Sequence, residues 1–347
     1  MPSHDAVLGA LSHVIDPELR RPITELDMVR GIEIDGGRVA VTIALTIAGC
    51  PLRASFEDQV EREVGALDGV EAVELAFDVM TPDERAVLTQ KLRGGVTERS
   101  KGISLDASTR VVAVCSGKGG VGKSTLSANL AAAFSRLGRS TGILDADIYG
   151  HSIPHILGIH QKPVLVDKMI VPPVKDDLKL MSIGFFLDDN QPVMWRGPML
   201  HRALEQFLSD VHWGELDVLV VDMPPGTGDV AISLGQLLPR AEVLVVTTPQ
   251  PAAQEVAARA AVMAQKTSMR LIGVVENMSG DVFGSGGGQR LADELGVPLL
   301  ATIPLDPRLR EAGDAGKTLL TPELVALAER VDALRAGTIV KPLTVVS

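Results

Sequence analysis

The segment Val111–Thr125, VVAVCSGKGGVGKST, constrains this chain more than any other. A β-branched run ends in small residues, a glycine-rich turn follows, and Lys123-Ser124-Thr125 opens an alanine-rich helix. Gly117 through Ser124 fits G-x-x-x-x-G-K-[ST], the phosphate-binding loop. Backbone N–H groups wrap an anion only where no Cβ intrudes and positive φ is cheap. Gly117, Gly119, Gly120 and Gly122 therefore form the turn, with Val121 inside it. The helix points its unpaired amides and positive dipole end at the anion. Lys123 is expected to reach the β/γ-phosphates and Ser124 to ligate Mg²⁺, with Thr125 beside them in the nucleotide-binding set. A purely structural glycine turn is the competing reading, and the order strand, loop, helix argues against it.

What surrounds the loop fits an α/β protein. The 347 residues are 46% hydrophobic but only 3% aromatic, so the core is built from Ala, Val, Leu and Ile, as buried parallel strands require. From Arg110 the pattern alternates strand and helix, which predicts a mostly parallel, doubly wound sheet with its ligand at the strands' C-terminal ends. The last helix is expected to use Thr321 as N-cap and Pro322 at its first position. Ahead of this lies a small α+β unit. A helix over 4–15, a hairpin around Asp35-Gly36-Gly37, a helix over 52–67 and a strand over 70–79 follow one another. The division is residues 1–82, a partly helical linker over 83–108, and a P-loop domain over 109–347. The formal net charge of −11 argues against a nucleic-acid partner. No apolar run of membrane-spanning length and no signal-peptide pattern point to a cytoplasmic protein without a membrane partner.

Two further motifs bring carboxylates to strand ends. Asp222 closes the apolar strand VLVVD, where a carboxylate holds Mg²⁺ directly or through water. Pro224-Pro225-Gly226-Thr227-Gly228 then makes a stiff turn whose glycine can present its N–H to a γ-phosphate. Asp145 and Asp147 stand at another strand end, spaced so that one joins the Mg²⁺ shell and the other orients the attacking water. Loop carboxylates that merely cap are the alternative. The two cysteines, Cys50 and Cys115, are too far apart in sequence to form a disulfide framework. Cys50 precedes a helix, where the dipole favours thiolate chemistry or metal ligation, or it is a small buried hydrophobe. Cys115 lies inside the strand before the loop and reads as core. His151, His155 and His160 read as solvent-facing or capping residues rather than a metal site.

KGGVGKST, with its second lysine Lys118, resembles the deviant Walker A loop of the partitioning, MinD and nitrogenase-iron-protein group of ATPases. ILDADIYGHSIPHILG, VMWRGPM, DVLVVDMPPGTGD, VVTTPQ and GVVENMS are similar to Mrp-type (ApbC-type) iron–sulfur carrier ATPases over roughly residues 108–320. Residues 4–80, with DPEL and GCP, resemble the PaaD/SufT-type domain fused ahead of bacterial Mrp proteins. The resemblance implies slow, Mg²⁺-dependent ATP hydrolysis in a homodimer formed through the ATP site, with apo iron–sulfur proteins as clients. Lys118 would reach the partner's nucleotide, Lys123 and Ser124 would act on phosphates and Mg²⁺, Asp145 would join Asp222 in the Mg²⁺ shell, Asp147 would act on the water, and Asn277 on adenine. It also raises Cys50, the GCP cysteine, as a ligand for a labile 4Fe–4S cluster.

The sequence departs from that pattern at one place. Cluster-carrying members follow ENMS with a C-x-x-C pair, whereas here GDVFGSGGGQRLADELG follows and no cysteine lies beyond Cys115. An ATP-switched scaffold, chaperone or positioning ATPase that has lost cluster binding is therefore the alternative function.

Overall fold

The computed structural model describes residues 2–47, 52–92, 105–106, 108–147, 150–186 and 197–334. Cys50, Trp195 and Arg196 lie outside the described residues. The chain divides into two compact units, and each is made of more than one chain segment.

The first unit takes residues 1–104 together with 162–174 and 209–214. Its elements are helix α1 (His4–Leu11), strands β1 (Val29–Asp35) and β2 (Arg38–Leu45), helix α2 (Arg53–Gly65), strand β3 (Ala72–Val79) and helix α3 (Pro82–Leu92). Asp35-Gly36 turns β1 into β2 antiparallel, Gly36 taking φ +60, and β3 returns parallel to β2. Alternation along β2 sends Val39, Val41 and Ile43 into a core shared with Val7 and Leu11 of α1 and with Phe56, Val60 and Val64 of α2. In the linker, residues 82–92 are helical and Thr89 donates to the Val166 carbonyl at 3.2 Å.

The second unit holds residues 105–161, 175–208 and 215–347. It begins with β4 (Arg110–Ser116), α4 (Lys123–Arg136), β5 (Thr141–Asp145) and α5 (Ile153–Leu157). A short hairpin, β6 (Val164–Val166) and β7 (Met169–Val171), then belongs to the first unit, whose core receives Val166, Met169 and Val171. The second unit resumes with β8 (Val174–Lys175), β9 (Leu178–Ser182), α6 (Gly197–Ser209), β10 (Val218–Asp222), α7 (Asp229–Leu237) and β11 (Glu242–Thr247). It closes with α8 (Pro251–Lys266), β12 (Arg270–Ser279), α9 (Gly287–Leu295), β13 (Leu299–Pro304), α10 (Pro307–Asp314) and α11 (Pro322–Ala333).

Its eight-stranded sheet has the order β13-β12-β11-β4-β10-β5-β9-β8, and every pairing from β13 to β9 is parallel. The middles of β4, β5, β10 and β11 are apolar and buried because helices cover both faces, and the polar residues stand at the strand ends. Val112, Val114, Ile143, Val220 and Val275 point to the face packed by α4 and α11. Residues of opposite parity, Cys115 among them, point to the face packed by α8. Thr321 stands at the N-cap of α11, but its buried hydroxyl has no hydrogen-bond partner among the described residues.

Candidate nucleotide site

Strand β4 delivers the chain to the loop at the C-terminal edge of the sheet, beside β10 and β11. Gly120 and Gly122 take φ +80 and +81, the left-handed region that a residue with a Cβ enters only at a cost. Gly117 is needed for a different reason. A Cβ there would stand 2.2 Å from the Ala257 nitrogen and the Val256 carbonyl carbon of α8, so the loop lies against helix backbone. Gly122 is the N-cap of α4 and has no side chain to cap it, which leaves the first-turn amides facing the concavity of the loop. Lys118, Gly119 and Gly120 are exposed at the loop's tip.

The side chains below the loop form one buried polar cluster. Asp222 and Asp145 are register partners on the adjacent strands β10 and β5, and both are fully buried. Lys123 lies over them, its Nζ 2.8 Å from Asp222 Oδ2 and 3.5 Å from Asp147 Oδ2. Ser124 Oγ donates to Asp222 Oδ2 at 2.6 Å, and Ser127 Oγ donates to Asp222 Oδ1 at 2.7 Å. Asp145 is held differently. Its Oδ1 accepts the Asp147 N–H at 3.2 Å, while Oδ2 accepts from Ser182 Oγ at 3.0 Å and from the Ile153 N–H at 3.3 Å. Burial, and next the neighbouring Asp222 carboxylate, push Asp145 well above the usual carboxylate range. Asp147 in turn accepts the Gly150 N–H at 3.1 Å.

The turn after β10 runs along the loop. Met223 N–H donates to the Val114 carbonyl, and Gly226 N–H donates to the Ser116 carbonyl at 2.8 Å. The Gly226 amide is thus engaged with the loop itself. At the end of β12, Asn277 Nδ2 donates to the Val121 carbonyl at 2.8 Å, with Gly122 packed directly beneath the amide. Among the described residues no hydrogen bond engages the Asn277 carbonyl oxygen, which suits it to a ligand.

The sequence-predicted residues Lys123, Ser124, Asp145, Asp147 and Asp222 therefore meet in one cluster, with Asn277 on the far side of the loop. Ser127 and Ser182, which sequence reasoning missed, complete it. The only signal for Ser127 is a hydroxyl one turn after Lys123 in an otherwise Ala- and Leu-rich helix. The oxygen set of Ser124 and Asp222 suits Mg²⁺, which takes one or two carboxylates and otherwise keeps waters and phosphate oxygens. No such fit exists for an iron–sulfur cluster among the described residues. They contain no group of three or more His, Cys, Asp or Glu placed to hold a metal. Their one thiol, Cys115, is buried in β4, and burial pushes it up to about 12 despite the nearby Lys123.

The family described as NUBPL iron-transfer P-loop NTPase matches residues 107–335. This chain belongs to that family. Residues 4–75 match a second family, described as iron-sulfur cluster assembly protein. A Mycobacterium leprae protein named iron-sulfur cluster carrier protein is 54% identical over 328 residues, covering 90% of this chain and 86% of the relative. A Bacillus subtilis protein of the same name is 42% identical over 313 residues, covering 87% and 88%. Among solved structures, a nucleotide-binding protein from Archaeoglobus fulgidus in complex with ADP has a TM-score of 0.55 and 35% identity, covering 62% of this chain and 90% of that one. The cell division ATPase MinD of Pyrococcus furiosus, at 24% identity and a TM-score of 0.52, shares the fold. Among the described residues no helix is long and apolar enough to cross a membrane.

Proposed function

We propose that this chain is an ATP-hydrolysing iron–sulfur cluster carrier that delivers clusters to apo-proteins in the cytoplasm. It works as a homodimer joined through the ATP site. Residues 109–347 run the nucleotide cycle, and residues 1–82 meet cargo and client. The observation that carries the reading is the coincidence of two facts. The chain matches proteins named as cluster carriers over nearly its whole length, and its loop gathers Lys123, Ser124, Asp147 and Asp222 within hydrogen-bond or ion-pair reach.

ATP binding exchanges the partners of Lys123. Phosphate oxygens replace Asp222 and Asp147 around its Nζ, which frees Asp222 and Ser124 to hold Mg²⁺. Mg²⁺ held by Ser124 and Asp222 would supply positive charge to the phosphates. Asp145 sets the position of Asp147 through the Asp147 N–H, and Asp147 accepts a proton from the attacking water. Lys118, exposed at the tip of the loop, extends to the nucleotide of the second copy. Asn277 reads adenine with its carbonyl oxygen. The acidic balance of the chain supports clients other than nucleic acid.

The cargo is held by Cys50. Of the two cysteines in the chain, Cys115 is buried and its thiol is held protonated, so two copies offer two Cys50 thiolates. Thiols of the client or of small molecules complete the four ligands of a labile 4Fe–4S cluster. A scaffold or chaperone that keeps the switch without the cluster is the second reading, favoured by the lack of a ligand set among the described residues. ATPase assays test the enzymatic half. Lys118→Ala is expected to bind ATP normally and to lose turnover that rises with protein concentration, and turnover equal to wild type would overturn the cross-subunit role.

A further inference from the structure

The strand that carries Asn277 is fixed on both of its faces. Asn277 shares the parity of Val275 and faces the loop and α4, where it bonds the Val121 carbonyl. Glu276, next to it, points to the opposite face and is 1% exposed. A carboxylate so buried is retained only where donors satisfy it. Its donors are two backbone amides at the head of α9: Gly286 N–H on Oε1 at 3.1 Å and Gly288 N–H on Oε2 at 2.5 Å. The positive end of the helix dipole lies at the same place.

The glycines around this carboxylate are there for the approach. Gly286 takes φ +84 as the N-cap of α9. A Cβ on Gly287 would stand 2.4 Å from the Pro249 carbonyl oxygen, and one on Gly288 would stand 2.5 Å from the Glu276 Cβ. Between strand and helix, Gly280 and Gly284 exchange both backbone hydrogen bonds, so the intervening Asp281-Val282-Phe283 is a closed loop. Glu276 therefore ties the end of β12 to α9 one peptide away from the residue that touches the nucleotide loop.

We propose that Glu276 is a positioning residue for nucleotide recognition: by clasping the head of α9 it holds the end of β12 so that Asn277 meets both Val121 and the base. The inference rests on the reading of Asn277 as the base-recognising side chain. Glu276 touches neither nucleotide nor water, and its effect is on binding and base choice rather than on the chemical step.

Glu276→Gln keeps the size of the side chain but removes the charge and turns an NH₂ group toward one of the two amides. Calorimetric titration with ATP and with GTP is expected to show roughly tenfold weaker ATP binding and a narrowed ATP-over-GTP preference. Turnover at saturating ATP should match wild type. A lowered melting temperature with unchanged ATP affinity and unchanged ATP-over-GTP preference would overturn the proposal, because a merely structural clasp would give that result. Asn277→Ala, measured alongside, separates the two layers. If it keeps the ATP preference, the base-recognition reading fails first. If it loses the preference while Glu276→Gln keeps it, the inference about Glu276 alone fails. Hydrogen exchange on the wild-type chain needs no variant to fold. ATP should slow exchange of the amides of Gly286 and Gly288, and exchange unmoved by ATP contradicts the clasp.

Discussion

Removing the cation from the buried cluster has two separable consequences. Lys123 stands 2.8 Å from Asp222 and 3.5 Å from Asp147, and Asp145 lies beside Asp222 as its register partner. At an effective dielectric of about 20, those separations correspond to attractions of about 6 and about 5 kcal/mol. Desolvation of Lys123 and of the carboxylates offsets much of that sum, and breaking a buried pair by deleting one partner costs about 3–5 kcal/mol. Lys123→Ala should therefore lose tight ATP binding and also unfold at clearly lower urea, because Asp222 is left buried without its cation. Lys123→Ala combined with Asp222→Asn should recover most of the stability and none of the ATP binding. The assay is urea unfolding followed by circular dichroism, with calorimetric ATP titration. The transition of the nucleotide unit is identified in wild type as the one that ATP shifts. A Lys123→Ala protein as stable as wild type, or a double variant no more stable than the single one, would refute the reasoning.

Three other outcomes follow from particular contacts. Gly117→Ala should destabilise the nucleotide unit by about 3 kcal/mol and abolish ATP binding, since its Cβ would meet α8 backbone at 2.2 Å; a variant that still binds ATP would show that loop and helix separate freely. Glu18 in the first unit is raised from 4.5 to about 7 by burial and then by Asp16. Between those values the folded chain holds the extra proton, so stability falls as pH rises through that window, and Glu18→Gln should remove a loss on the order of 2 kcal/mol in thermal melts at pH 5 and pH 8. Maleimide labelling of the folded protein at pH 8 should modify Cys50 and spare Cys115, whose thiol is buried and held near 12.

The parts legible in the sequence are those where backbone chemistry or burial leaves one choice of residue. The loop required glycine at Gly120 and Gly122 for positive φ, so its position could be read directly. Asp222 and Asp145 stood out because a charge at the end of an apolar strand needs a partner, and the strand ends do converge. Ser127 and Ser182 carry no such signal. A serine in a helix or at a strand end fits many surroundings, and only the fold brings these two to the carboxylates. Glu276 was hidden for the same reason, since its partners are glycine amides ten and twelve residues later. The hairpin of β6 and β7 was missed because its strands have three residues each, too few for periodicity, and because Ile170 pairs with Val211, far along the chain. At Thr321 the expected cap position is correct, yet the hydroxyl does not cap among the described residues, so the start of α11 at Pro322 does not rest on that bond.

The central claim is that this ATPase carries an iron–sulfur cluster through Cys50. Anaerobic reconstitution with iron and sulfide, followed by counting both per protomer with and without ATP, tests it most directly. The account predicts a stoichiometric cluster on the wild-type protein that is lost in Cys50→Ser and kept in Cys115→Ala. A protein that hydrolyses ATP and binds no cluster, or one whose cluster survives Cys50→Ser, would contradict it.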